Sequence, residues 1–251
     1  MSRPTTVLEQ AAGIIGRRVI ARGLRASTDV WVLNKDDAQT LHESSLLPRD
    51  TSIFELDSSG VDVSSFTPTP VPEAPAFCFV GRLLPAKGAR TFIDAARAAR
   101  KAGSPARFIL AGEPDDHRGA VTKEELARLQ EDGILEYRGF VKDLGALFLE
   151  CTALVLPSQH EGRPRAVQEA MACGRPVIVS DAVGCHDAIE DGKEGFVVPV
   201  GDVDALCKAF DRILADRITL ERMGSAARTL AEQRYDQNLI ASRAISRMLE
   251  S

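Results

Sequence analysis

Two cations and two carboxylates stand at spacings that invite chemistry. In Gly81-Arg82-Leu83-Leu84-Pro85-Ala86-Lys87-Gly88, Arg82 and Lys87 lie five residues apart within one turn. Both could reach a single point. A diphosphate there would take guanidinium hydrogen bonds from Arg82 and a point charge from Lys87, and both contacts would strengthen as negative charge builds on a departing group. Taken alone, the spacing also describes a pair of solvated loop cations. Further along, Glu161 sits in a polar loop and Glu169 follows eight residues later. Pro164 suits the first turn of a helix and Gly174 its end, so the pattern predicts a helix over Pro164 to Cys173. Ala166, Val167, Ala170 and Met171 form its apolar face, and Glu169 projects away from them, able to face a cleft. The two carboxylates could then accept hydrogen bonds from widely separated hydroxyls of one long ligand, with the amides of Gly162 to Arg165 as an anion site beneath them. Singly, each glutamate also reads as an ordinary surface residue.

These residues need a scaffold that gathers them. From Ala76 onward, short apolar runs alternate with longer helical patterns: Phe77 to Val80, Arg107 to Ala111, Ile134 to Tyr137, Ala153 to Leu156, Pro176 to Val179 and Gly195 to Val198. Continuous apolar strands separated by amphipathic helices predict an α/β fold, a Rossmann-like parallel six-stranded sheet with helices on both faces. Ligands of such sheets lie beyond the carboxyl ends of the strands, where the unusual polar groups of this sequence fall. Val203 to Leu214, Leu220 to Gln233 and Asp236 to Leu249 follow as helical patterns. Before the sheet, Thr5 to Arg25 has helical spacing, Asp29 to Asn34 and Ser52 to Leu56 read as strands, and Lys35 to Ser44 reads as a helix. The Ser-, Pro- and Gly-rich tract from Asp57 to Pro75 reads as a linker. The expected organisation is therefore a partial second α/β domain with its linker over 1–75, the main domain over 76–235 and a C-terminal helix over 236–251.

Composition narrows the function classes. Of the 251 residues, 44% are hydrophobic and 27% charged, an ordinary globular balance, and the net charge of -5 carries no basic run of the kind nucleic acid demands. Cys78, Cys151, Cys173, Cys185 and Cys207 show no metal-ligand or redox spacing, which reads as reduced thiols in a cytoplasmic protein. No His, Cys and Asp cluster has metal-ligand spacing either, so no bound metal is expected. Arg17, Arg18, Arg22 and Arg25 alternate with apolar residues, a pattern first of a solvated helix face or of a face left by a missing partner domain, and second of weak attachment to the inner membrane face.

The combination is more specific than its parts. The Gly-Arg-x4-Lys-Gly turn, the Glu161-x7-Glu169 pair after a Pro-Ser turn, Leu110 to Pro114, Gly139 to Leu144 and Glu169 to Pro176 resemble, in matching order, family 4 of the glycosyltransferases. That resemblance implies the C-terminal donor-binding domain of a GT-B enzyme that transfers a sugar with retention from a UDP- or GDP-type nucleotide sugar to a glycan or polyprenyl-linked acceptor. It implies a catalytic set of Arg82, Lys87 and Glu161. The two cations would clamp the diphosphate, and Glu161 would bind hydroxyls of the transferred sugar. Donor binding would involve Gly81, the backbone near Val141 facing the base, Gly162, Arg163, Pro164 and Arg165 serving sugar and phosphate, and Glu169 on the ribose. No protein nucleophile is implied, because the leaving phosphate oxygen helps to deprotonate the acceptor.

The sequence departs from that pattern twice. Residues 1 to about 56 match only the final strands and helices of the family's acceptor domain, so a partner protein carrying that domain, or a homo-oligomer, is expected to cover the apolar residues near Thr5 to Ile20. The alternative is a catalytically inert nucleotide-sugar-binding subunit. Arg163 also stands where the family often has an apolar residue. His160, His186 and Asp187 flank the same loops and read either as donor contacts or as polar loop residues. A nicotinamide-dependent oxidoreductase would need a Gly-x-Gly-x-x-Gly turn after a strand, and the sequence has none.

Overall fold

A computed structural model describes residues 16, 18–44, 47, 48 and 50–250. The helix expected over Thr5 to Arg25 lies largely outside them. Its described part, α1 (residues 18–25), leaves Val19 and Ile20 exposed. The chain divides into two compact units, Met1–Asp57 and Ser58–Ser251.

In the first unit, β1 (Asp29–Val32) and β2 (Ser52–Glu55) pair in parallel, with Asp29 opposite Ser52 and Val32 opposite Glu55. Parallel neighbours need a crossover, here α2 (Lys35–Glu43). Asn34 caps it by accepting from the Asp37 amide at 2.7 Å, and Asp36 and Asp37 place negative charge at the positive end of the helix dipole. Trp31 meets Phe54 edge-on at 5.2 Å between centroids, a cross-strand pair in register.

The second unit is built on a six-stranded, all-parallel sheet. Its strands are β3 (Ala76–Val80), β4 (Arg107–Ala111), β5 (Glu136–Gly139), β6 (Ala153–Leu156), β7 (Val177–Ser180) and β8 (Gly195–Val198), in the order β5-β4-β3-β6-β7-β8. β3, β4, β6 and β7 are buried along almost their whole length, which is why they read as unbroken apolar runs. α3 (Ala89–Lys101) packs on α7 (Val203–Ala215) around Phe77, Phe92, Phe108 and Phe210, and the rings of Phe77 and Phe210 stack at 4.3 Å. α6 (Arg165–Ala172) packs with α5 (Leu144–Leu149) and α8 (Arg217–Leu230) as a second helical group. Arg107 donates to both oxygens of Glu136 at 2.7 and 2.9 Å, which ties edge strand β5 to β4 and holds the Glu136 carboxyl down at about 2. Among the described residues, no helix is long and apolar enough to cross a membrane.

The third connection of this sheet, from β5 back to β6, reverses the direction in which strands are added, so the loops after β3 and β6 diverge from neighbouring strand ends. A crevice opens at such a point. The backbones there are in close contact. Gly88 has φ 78°, and a Cβ on it would lie 2.1 Å from the Pro157 carbonyl oxygen.

Three expectations shift. β5 starts two residues later than its apolar run, because the amides of Ile134 and Leu135 still bond to Leu129 O, closing α4 (Lys123–Glu131), and Leu135 is buried. The expected Leu220–Gln233 helix begins at Arg217, because Asp216 caps it by accepting from Ile218 and Thr219, and it ends in a π-helical turn, Ala231–Tyr235, before α9 (Gln237–Glu250). The tract expected as a linker belongs, from Ser58, to the second unit. Prolines keep it out of the sheet, yet Val61, Val63 and Val71 are buried, and carbonyls without a ladder are taken up by arginines. Arg175 bonds Thr69 O and Oγ1 at 2.7 Å each, Arg217 bonds Val71 O at 2.5 Å, and Arg228 bonds Phe66 O at 2.8 Å. Those donors stand more than a hundred residues away in sequence, beyond the reach of any local pattern. The cysteines are free thiols; burial pushes Cys173 up to about 11 and Cys185 up to about 12.

Arg175→Met should cost about 2–4 kcal/mol in urea unfolding, because it strands the buried Phe148 carbonyl, which Arg175 Nε reaches at 2.8 Å, together with the part-buried Thr69 acceptors. Gly88→Ala should cost at least about 2 kcal/mol, since the new methyl group meets both a left-handed backbone and a carbonyl oxygen.

Candidate active site

Lys87 and Glu161 meet at the crevice. Lys87 ends the 3-10 turn Pro85–Lys87 that follows β3, and Glu161 lies in the loop between β6 and α6. Lys87 Nζ donates to Glu161 Oε2 at 2.6 Å, and both side chains are largely shielded, 25% and 13% exposed. Ser158 Oγ donates to the other oxygen of Glu161 at 2.9 Å and lies 3.2 Å from the Lys87 carbonyl oxygen. Ser180, at the end of β7, donates in turn to the Ser158 carbonyl. The Glu161 amide bonds to Val183 O at 3.0 Å, and the Gln159 amide to Ala86 O at 2.9 Å. Three strand ends therefore fix one cation and one anion side by side. Cys185 is buried close by, and the Glu161 charge adds to the burial that raises its thiol.

Arg82 takes a different position. It is 68% exposed, with its guanidinium 3.9 Å from Asp115, and lines a cleft of about 290 Å³ together with Gly81, Gly112, Phe140, Val141 and Leu144. A Cβ on Gly112 would lie 1.8 Å from Gly81 O, so two bare backbones form one wall. Phe140 is 72% exposed at the end of β5. A flat apolar group would fit such a cleft.

α6 extends from the Glu161 loop. It is capped by Pro164, one position before the helical turn expected for that proline, and it ends at Cys173. No side chain caps its first amides. Glu169 is nearly buried, and Arg165 Nε holds it at 2.8 Å. Arg163 turns inward: its side chain is wholly buried and forks onto Asp187 at 2.6 and 3.0 Å. Gly162 and Pro164 flank it within the same loop.

The residues read from sequence thus fall into four groups: Lys87 with Glu161, Arg82 with Gly81 and Val141, Arg165 with Glu169, and Arg163, between Gly162 and Pro164, with Asp187. His186 turns to Asp181 at 3.1 Å, and His160 is exposed. Sequence reasoning missed Ser158 and Ser180 as supports of Glu161, and Arg234 and Tyr235 as contacts of the Asp187 loop. A Ser after a strand end is a weak local signal. The two π-helix residues had none.

The family described as Glycosyl transferases group 1 matches residues 64–230. N,N'-diacetylbacillosaminyl-diphospho-undecaprenol alpha-1,3-N-acetylgalactosaminyltransferase of Campylobacter jejuni is 27% identical over 226 residues, 84% of this chain and 57% of that protein. A putative colanic acid biosynthesis glycosyltransferase of Salmonella typhimurium is 31% identical over 207 residues, 76% of this chain and 50% of that one. The chain thus spans about half the length of these curated relatives. Among solved structures, Anabaena Alr3699/HepE in complex with UDP-glucose shares the fold with a TM-score of 0.80 at 22% identity, over 94% of this chain and 68% of that one. Its structural neighbours are GT-B glycosyltransferases. The family match runs without a break from the arginine-held tract through the Lys87 turn and the Glu161 loop into α8, and the chain belongs to the group 1 glycosyltransferases.

Proposed function

We propose that this chain is the donor-binding half of a retaining, family 4 glycosyltransferase that takes a hexosyl or N-acetylhexosaminyl group from a nucleoside-diphosphate sugar. The contact between Lys87 and Glu161 carries this reading. A charge that neutralises phosphate and a carboxylate that accepts from sugar hydroxyls stand within 2.6 Å of one another, so a ligand reaching both has its sugar directly beside its phosphate.

Lys87 serves the diphosphate, aided by the amides at the start of α6 and, from the cleft lip, by Arg82. Glu161 orients the sugar, Glu169 serves the ribose, and the base enters the cleft against the backbone near Val141 and Gly81. Arg163 contributes through its main chain. The cationic groups stabilise charge on the departing phosphate, whose oxygen takes the proton of the incoming hydroxyl on the same face of the sugar. The donor is of the UDP or GDP type, a reading supported by the UDP-glucose complex of the Anabaena relative. The acceptor is a glycan or polyprenyl-linked glycan at the cytoplasmic membrane face, in keeping with the diphospho-undecaprenol substrate named for the Campylobacter relative.

Thermal unfolding with a panel of UDP- and GDP-sugars tests the reading. The correct donor at 100 times its Kd should add about 2.7 kcal/mol to stability. Lys87→Ala should weaken that binding roughly 10- to 100-fold, and Glu161→Gln should weaken the sugar-bearing ligand more than the bare nucleotide. A stabilising shift that survives Lys87→Ala unchanged would overturn the assignment.

A further inference from the structure

The inference rests on the assignment of Glu161 to the sugar and concerns what holds that residue in place. The loop after β7 wraps the backbone of Glu161. Val183 O accepts from the Glu161 amide at 3.0 Å. Gly184 adopts φ 73°, and a Cβ there would lie 2.1 Å from Glu161 O and 2.5 Å from Gly162 O. No residue with a side chain could approach so closely. The position of the Glu161 carboxylate is therefore fixed by the position of this loop.

The loop is itself fastened from below. Arg163, wholly buried, grips both oxygens of Asp187. Arg234 donates to Asp187 O at 2.7 Å, and the buried Tyr235 donates its hydroxyl to Ala188 O at 2.8 Å. Those last two residues close the π-helical turn Ala231–Tyr235 that ends α8. A π turn widens the helix by one residue, and here it lets adjacent side chains reach adjacent carbonyls of one loop. A buried bidentate arginine pair is costly to desolvate, and an apolar pair would hold a core as well or better. Its distinctive contribution is direction: a fork on a carboxylate fixes angle as well as distance.

We propose that Arg163, Asp187, Arg234 and Tyr235 form a clamp of positioning residues that sets Glu161 against the transferred sugar. Arg163, the residue where the resemblance to the family breaks, thus acts inward on Asp187 rather than toward the ligand. Asp187 is engaged by that fork and does not serve as a sugar contact.

Hydrogen exchange on the full chain without ligand tests the clamp. Tyr235→Phe removes one loop contact and leaves the ion pair intact. The double variant Arg163→Leu/Asp187→Leu removes both charges together, which avoids leaving one buried charge alone and keeps a folded domain to measure. In both variants the Glu161 amide should exchange about tenfold faster or more, while β3, β6 and β7 keep their protection. An unchanged Glu161 amide in the double variant, or strands that lose protection in step with it, would sink the proposal.

A second readout compares affinity for UDP-glucose with UDP, and for GDP-mannose with GDP, using the pair that binds the unsubstituted chain. The gain in affinity from the sugar should shrink about tenfold in the double variant and in Glu161→Gln alike. If Glu161→Gln leaves that gain intact, the assignment of Glu161 to the sugar fails and the clamp's function falls with it. If Glu161→Gln shrinks the gain and the double variant does not, the clamp alone is wrong.

Discussion

The contact of Gly88 with the Pro157 carbonyl sets the distance between the two halves of the sheet at the ends where they part. Everything polar in the crevice depends on it. The turn that presents Lys87 and the loop that presents Glu161 leave from neighbouring strands, β3 and β6, and would otherwise diverge with their helices. A residue with no side chain lets the backbones touch, and the ion pair of 2.6 Å closes across that junction. The fold supplies the gap and the glycine narrows it. Charges so placed cost little to reorganise when a ligand with complementary charge arrives.

Much of this was legible in the residues. The buried parallel strands announced themselves as unbroken apolar runs, and Arg107 to Ala111, Ala153 to Leu156 and Gly195 to Val198 form strands at those bounds. Helix α6 starts and ends where Pro164 and Gly174 punctuate the sequence. What stayed hidden was long-range. The tract from Ser58 looked like a linker because its prolines forbid a ladder, while the arginines that hold it lie past residue 170. The direction of Arg163 was equally hidden, since a polar residue between Gly162 and Pro164 reads as a loop contact until Asp187 is seen beneath it. Spacing proposed that Arg82 and Lys87 reach one point. The fold sets Arg82 on the lip of the cleft bordered by Phe140 and Val141, with Asp115 beside it, and pairs Lys87 with Glu161, a partner that the spacing did not indicate.

Two kinds of glue hold the second unit together, and they act on different segments. Phenylalanines and aliphatic residues fill the interior between the sheet and its helices, a contribution that depends on area rather than angle. Guanidinium groups, those of Arg175 and Arg163 fully buried, fasten the irregular segments by gripping carbonyls or carboxylates outside the sheet: Arg175 and Arg228 on the proline-rich tract, Arg163 and Arg234 on the loop under Glu161. The first kind makes the domain stable. The second gives its irregular segments defined positions, and it is the irregular segments that carry the charged groups.

The depth of the thiols has a chemical corollary. Only the thiolate attacks an oxidant or an alkylating reagent. With its thiol pushed up to about 12 by burial, Cys185 stays protonated at neutral pH, and it is covered by protein as well. Modification there must wait for the chain around the carboxylate to open. The rate at which Cys185 is alkylated is thus an intrinsic clock for local breathing at the heart of the crevice, one that needs no added label.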